Sequence, residues 1–300
     1  MSPKRVYHEI VTKKQVQSSE EIAIMTQTTS GYLELDGGKL YYETAGAGET
    51  LVLSHAAFLD SRMFDPQWEL LAQHFRVIRY DMRGFGRSSS VEGPLCRRDD
   101  LWRLLCHLGV QQAHLIGCSN GGEIILDLAL EHPNLPLSLT LVGATPSGFQ
   151  LEGEPPRHVM EMIEAMQQGD TARANELQIR IWFDGAFREP DEVDGAVRQK
   201  ALQMNQIPVA ANTFFIADTQ PVQPLDPCAL TRLEAVGCPV LIVAGTLDHP
   251  EVLRAAEIMA ARIPNAQKVL IKNTGHVPSF EQPEAFNQAL FTFLGIAPAI

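Results

Sequence analysis

The chain has 300 residues, 45% hydrophobic and 20% charged, which is ordinary for a globular protein and enough for one large domain or two small ones. Acidic residues outnumber basic ones 36 to 24, giving a net charge of −12, and no basic block offsets the excess; this argues against nucleic acid or an anionic membrane as a partner. No apolar run reaches transmembrane length, and the region around Lys4, Arg5, Lys13 and Lys14 lacks the apolar core of a signal peptide. Cys96, Cys106, Cys118, Cys228 and Cys238 have no C-x-x-C spacing, so a reduced cytoplasm with free thiols is expected.

Residues 1–30 carry no clear period and are expected to form an extension outside the fold, loosely helical near 20–25, with Met25 as a candidate internal start. Residues 32–35 and 39–44 alternate around Asp36-Gly37-Gly38 and read as a β-hairpin. A buried strand at 51–54 leads into His55-Ala56-Ala57-Phe58-Leu59-Asp60, followed by a helix near 64–74. A strand at 76–81 ends in the glycine-rich loop Arg83-Gly84-Phe85-Gly86-Arg87-Ser88, and 99–108 is an amphipathic helix. Apolar strands follow at 113–116 and 138–143, separated by a helix from Glu123 that Pro133 stops.

After Gly143 the pattern changes. Between about 145 and 233 the spacing predicts helices at 157–167, 171–183 and 192–205, broken by prolines and rich in methionine and aromatic residues. Strand and helix then alternate again: strand 239–244, helix 251–263, strand 268–271, helix 284–293. Strand–helix alternation interrupted once by helices predicts an α/β fold. Its parts would be a mostly parallel central sheet with helices on both faces, built from 31–144 and 234–300, and a helical cap over 145–233. Ligands of such sheets bind beyond the carboxyl ends of the strands.

Gly117-Cys118-Ser119-Asn120-Gly121 is a G-x-S-x-G pentapeptide set between a predicted strand and a predicted helix. A nucleophile at the tip of so sharp a turn needs strained backbone angles, and glycines two residues to either side avoid collision with the strand and helix. Ser119 would then stand at a helix N-terminus, with the Asn120 N–H free to face a developing oxyanion. A serine hydroxyl needs a general base. His276 lies in a loop straight after the last strand, behind Gly275, and is the candidate. His8, His74, His107, His114, His132 and His158 read as surface or packing residues, while His249 could face the pocket.

A base of this kind needs a carboxylate to hold its tautomer. Asp248, directly after a strand, supplies it, the competing role being a helix N-cap ahead of Pro250. The loop after 51–54 is the natural source of a second oxyanion N–H, from Ala57. The 83–88 loop lacks the G-K-[ST] ending of a phosphate loop and reads as structural. No metal-ligand spacing and no dinucleotide fingerprint is present, so no metal or cofactor is called for.

The chain resembles the α/β-hydrolase superfamily, in its serine esterase, enol-lactonase and perhydrolase-like branch with a helical cap. The resemblance runs from about Tyr32 to Leu294. It is carried by His55-Ala56-Ala57, Asp60-Ser61-Arg62-Met63-Phe64, Asp81-Met82-Arg83-Gly84-Phe85-Gly86-Arg87-Ser88, the Ser119 turn, Gly245-Thr246-Leu247-Asp248 and Gly275-His276. It implies Ala57 as an oxyanion donor beside Asn120, and it places Ala56 where the family usually has glycine. Members that open epoxides or remove halogen use Asp at the position of Ser119, so hydrolysis of an ester, thioester or lactone through an acyl-serine is the implied reaction. Phe58, Trp182, Phe183, Phe214 and Phe215 are candidate pocket residues for a small apolar ester or lactone. Two alternatives stay open: a ligand-binding receptor with slow catalysis on the same scaffold, and C–C hydrolysis, perhydrolysis or acyl transfer at the same serine. The oligomeric state also stays open, with a homodimer one option.

Overall fold

The computed structural model describes residues 27–218 and 222–296. The expected extension over 1–26, with its helical tendency near 20–25, Met25 and His8, lies outside the described residues. Eight strands form one sheet: β1 (Thr29–Leu35), β2 (Gly38–Ala45), β3 (Thr50–Ser54), β4 (Arg76–Tyr80), β5 (Ala113–Cys118), β6 (Pro136–Val142), β7 (Val240–Gly245) and β8 (Ala266–Ile271). Their order across the sheet is β1-β2-β4-β3-β5-β6-β7-β8. Only the hairpin strands break the parallel arrangement: β1 pairs antiparallel with β2 and β2 antiparallel with β4. The two-residue turn Asp36-Gly37 sets that hairpin's register, and β1 begins three residues before the alternation first becomes readable at Tyr32.

The helices are α1 (Asp65–Ala72), α2 (Arg97–His107), α3 (Asn120–Glu131), α4 (Val159–Gln167), α5 (Thr171–Ile179), α6 (Gly195–Ala210), α7 (Pro250–Arg262) and α8 (Pro283–Leu294). β3 and β7 are buried along their whole length because helices cover both faces of the sheet. Alternate residues go to opposite sides. Val52, Leu115, Leu139 and Ile242 pack with Leu104 of α2, Leu128 of α3 and Met259 of α7. Leu53, Ile116 and Val243 pack on the other face with Leu71 of α1 and with Phe286 and Leu290 of α8. Each such side chain contributes about 1.5–3 kcal/mol by leaving water.

The residues between β6 and β7 hold α4, α5 and α6 around a separate small cluster of Met162, Ala165, Ala174, Leu177, Ile181 and Val209. Here the structure departs most from the sequence pattern. The helix expected over 171–183 ends at Ile179 and widens into a π-helical turn, Arg180–Asp184, closed by Gly185 at φ 80°. The helix expected to stop at 205 runs on to Ala210, through Pro208. Arg198 holds the segment together: its guanidinium donates to both carboxylate oxygens of the fully buried Asp184, at 2.9 Å each, and to Glu176 Oε1 at 2.5 Å. All five cysteines are unpaired. Among the described residues no helix is long and apolar enough to cross a membrane.

The connections from β3 run one way to β4, while β5 lies on its other side. The strand order therefore reverses between β3 and β5, and the crevice beyond their carboxyl ends is where a ligand of such a sheet sits. The loops starting at His55 and at Ser119 leave the sheet there.

Candidate active site

Ser119 occupies the tip of the β5–α3 turn at φ 53° and ψ −120°, a backbone conformation that a side-chain-bearing residue adopts at a cost of about 1–3 kcal/mol. The neighbours explain the two glycines of the pentapeptide. A Cβ on Gly121 would come 2.5 Å from the His55 carbonyl oxygen, and one on Gly117 would come 2.7 Å from Gly122 Cα. The tight packing of β5, α3 and the 55–57 loop leaves the serine no relaxed alternative. The Ser119 N–H is itself anchored on the Val142 carbonyl at 2.8 Å.

Residues 119, 248 and 276 are far apart in the chain but meet above the sheet. Asp248 and His276 are 2% and 4% exposed, so their interaction is largely shielded from water. Both Asp248 carboxylate oxygens lie 3.0 Å from His276 Nδ1. A carboxylate only accepts, so Nδ1–H donates and the Nε2 lone pair is left for the Ser119 hydroxyl, whose Oγ is 2.8 Å away. The Asp248 side chain also accepts the His249 N–H at 2.7 Å, which fixes its orientation. The N-cap of α7 is not Asp248 but His249, whose Nδ1 accepts the Glu251 N–H at 3.2 Å. His249 therefore serves the helix and, with Trp182, borders a minor crevice.

His55, which the sequence marks as the start of a loop and as part of the segment that carries the resemblance, organises that loop. Its Nε2 accepts the Met82 N–H at 2.9 Å, so its Nδ1–H donates to the Ala56 carbonyl, 2.8 Å away. Full burial pushes the imidazole pKa down, in keeping with this neutral form. The Leu59 N–H also donates to the Ala56 carbonyl, at 3.0 Å. In a trans peptide the C=O of Ala56 and the N–H of Ala57 point opposite ways, so anchoring one aims the other. Ala56 is not among the residues with positive φ, so alanine in the place of glycine carries no left-handed strain here. At the opposite side, the Asn120 N–H begins α3 and has no carbonyl one turn earlier within the helix.

The five candidate pocket residues divide. Trp182 stands 5.1 Å from the His276 ring, centre to centre, and Phe58 lies 6.3 Å from it at 28°. Phe214 and Phe215, edge to face, border a cavity of about 20 Å³ with Ala57, Met162 and Met166, room for about one water. Phe183 turns the other way, into the core against Phe280, and is 1% exposed. Trp182 and Phe183 are neighbours in the π-helical turn Arg180–Asp184, and consecutive helical side chains diverge by about a quarter turn, so one faces His276 while the other faces the core.

The 83–88 loop is structural. Asp81 accepts the Ser61 and Arg87 N–H groups at 2.9 and 2.8 Å, and Arg83 makes a forked pair with buried Asp100 at 2.8 and 2.6 Å. A cavity of about 290 Å³ lies past the first turns of α3, bordered by Arg97, Asn120, Glu123, Asp127 and Asp218 but by neither Ser119 nor His276. Burial, with Asp127 and Asp218 nearby, pushes the Glu123 carboxyl up to about 7. Burial likewise pushes Asp127 up to about 6, opposed by the hydroxyl of Ser147 at 2.6 Å. Among the described residues no group of three or more His, Cys, Asp or Glu is gathered to hold a metal ion.

Comparison with known proteins agrees with this architecture. A Caulobacter sp. protein provisionally named carbamate hydrolase RutD is 28% identical over 274 residues, covering 85% of this chain and 95% of its own. The 3-oxoadipate enol-lactonase 1 of Acinetobacter baylyi is 27% identical over 253 residues, covering 81% of this chain and 88% of its own. Among solved structures, a hydrolase from Pseudomonas aeruginosa superposes with a TM-score of 0.73 at 29% identity, covering 89% of this chain and 98% of that one. The model of the alpha/beta hydrolase fold family matches residues 49–283, and the chain belongs to that family, as a hydrolase.

Proposed function

We propose that the chain is a serine hydrolase that cleaves a carboxylic ester, thioester or lactone through an acyl-Ser119 intermediate. The observation that carries the reading is the continuous relay from Ser119 Oγ through His276 to Asp248, at 2.8 and 3.0 Å. In this mechanism Ser119 Oγ attacks the substrate carbonyl while His276 Nε2 takes its proton. The Ala57 and Asn120 N–H groups receive the oxyanion, and Asp248 holds the imidazolium. His276 then returns the proton to the leaving alkoxide or thiolate, deprotonates a water, and the acid is released. Attack of a serine hydroxyl on a carbamate carbonyl would use the same relay with a different leaving group, so the carbamate hydrolase name of one relative is compatible with this reading.

Phe58 and Trp182 flank the general base and favour an apolar or aryl substrate. The cavity beside Ala57, between Met162 and Met166 of α4 and Pro208 and Val209 of α6, is apolar and has room for about one water. Five unpaired thiols support a reducing, cytoplasmic setting. Treatment with a fluorophosphonate and mass spectrometry of the digest tests the nucleophile, the expected label being on the peptide that contains Ser119. A panel of p-nitrophenyl esters, thioesters and lactones then ranks the substrates. Undiminished turnover by Ser119→Ala would reject the mechanism.

A further inference from the structure

The loop that carries His276 is tied to the helical insert by a buried ion pair that the triad does not include. Glu281, in the short turn Pro278–Glu281, accepts the Gly275 N–H on Oε1 at 2.8 Å. Gly275 is the residue before the general base. The other oxygen, Oε2, accepts Arg188 Nη1 at 2.6 Å, and the two side chains are 7% and 9% exposed. Arg188 comes from the insert, and three more of its N–H groups go to backbone carbonyls. Nε donates to the Asp184 carbonyl at 2.9 Å, Nη2 to the Phe183 carbonyl at 2.8 Å, and Nη1 also reaches the Asn273 carbonyl at 3.5 Å. One guanidinium thus holds both the π-helical turn that presents Trp182 and the loop that presents His276.

The contact leaves no space for a side chain at residue 275. A Cβ on Gly275 would stand 2.6 Å from Arg188 Nη2, 3.0 Å from the Phe183 carbonyl oxygen and 3.3 Å from Glu281 Oε1. A side chain at residue 275 would therefore push the Arg188 guanidinium out of the clamp. A buried ion pair is weak evidence for stability, since desolvating the two charges offsets most of their attraction. What this pair does supply is geometry: charge-assisted hydrogen bonds are short and directional. Burial pushes the Glu281 carboxyl up, and Arg188 works against that shift.

We propose that Glu281 and Arg188 are positioning residues for the hydrolytic reaction: together they fix the His276 loop against the helical insert, so that seating of the insert and alignment of the general base are one event. The proposal rests on the reading of Ser119, His276 and Asp248 as the triad. It also names how the insert communicates with the chemistry. When the π-helical turn is seated, Arg188 completes Glu281, Glu281 holds the Gly275 N–H, and the imidazole of His276 stays 2.8 Å from the nucleophile.

The test uses the full chain and two readouts, p-nitrophenyl acetate kinetics and the rate of fluorophosphonate labelling of Ser119. The variants are Glu281→Ala, Glu281→Gln, Arg188→Lys and Ser119→Ala. Glu281→Ala is expected to lower kcat and the labelling rate by about 10–100-fold, the scale of a misplaced catalytic group, with KM within about threefold. Glu281→Gln keeps an oxygen for the Gly275 N–H but turns its NH2 toward Arg188, and is expected to recover part of that loss. Arg188→Lys keeps the charge but loses the donors that hold the Phe183 and Asp184 carbonyls and is expected to fall between the two. Should Glu281→Ala fail to fold, the ordering of Glu281→Gln above Arg188→Lys in labelling rate carries the test. Wild-type labelling rates in Glu281→Ala, or equal losses in Glu281→Ala and Glu281→Gln, overturn the proposal while an inactive Ser119→Ala leaves the hydrolase reading standing. An active Ser119→Ala overturns both.

Discussion

The sheet with its loops and the helical insert between β6 and β7 are held by different means. In the sheet, long parallel ladders and two apolar layers fix each strand end, and the chemistry-bearing residues sit on backbone that glycines let pack closely. The insert has a small cluster of six buried apolar residues, a helix that breaks into a π-helical turn, and buried charge pairs centred on Arg198 and Arg188. Met160, Phe187 and Phe214 are 69%, 58% and 46% exposed there. The contrast separates two jobs. Rigid strand ends hold atoms that must stay aligned to within a fraction of an ångström, while a region pinned at a few polar points can shift as one piece.

Four substitutions probe that division. Asp248→Asn has the largest expected effect, a loss in kcat of about 10⁴-fold with the fold intact, because His276 then loses its tautomer control. Steady-state turnover of a p-nitrophenyl ester measures it, and a loss below tenfold would break the claim that the sheet holds a relay. Arg198→Ala comes next. It leaves the buried Asp184 carboxylate only the distant Arg180, at 3.9 Å, and is expected to cost about 3–5 kcal/mol. Hydrogen exchange should locate that loss in α5 and α6 while β3, β5 and β7 stay protected; equal loss of protection in the strands would erase the distinction between the regions.

Glu123→Gln acts through pH. The folded-state carboxyl, pushed up to about 7 from an ordinary 4.5, stays protonated where the unfolded chain has already ionised. Wild-type stability therefore falls as pH rises from about 4.5 to about 7, and the variant escapes the penalty. Denaturant titrations at pH 8 should find Glu123→Gln more stable by roughly 1–3 kcal/mol, with the gap closing by pH 4. A gap that widens toward acid would contradict the buried carboxyl. The smallest effect is expected from Trp182→Ala: a KM for aryl esters raised about 2–10-fold, the worth of one ring contact of 0.5–1.5 kcal/mol. An unchanged KM across alkyl and aryl esters would remove Trp182 from the pocket.

Much of the sheet region can be read from the chain because its signals are local. The G-x-S-x-G turn, the residues after strands at 248 and 276, and the apolar runs each follow from a few neighbouring residues, and the strands lie within three residues of their expected ends. The insert resists such reading. Nothing in Ile181-Trp182-Phe183-Asp184 announces that the helix will widen, and which of the two neighbouring aromatics meets His276 and which joins the core depends on how that turn packs. His55 was visible as a residue, yet its use depends on the Met82 N–H arriving from another strand end.

By itself, the amino-acid sequence determined the strand–helix alternation, the sharp turn under Ser119 and the residue types offered at each strand end, since these follow from hydrophobic period, glycine and proline. The tertiary structure decided which histidine meets Ser119, which aromatic faces the crevice, and that Glu281 and Arg188 join the insert to the His276 loop. Those outcomes depend on contacts between residues tens to more than a hundred positions apart, and a hydrogen bond of about 3 Å is set by how whole elements pack, which no local pattern encodes.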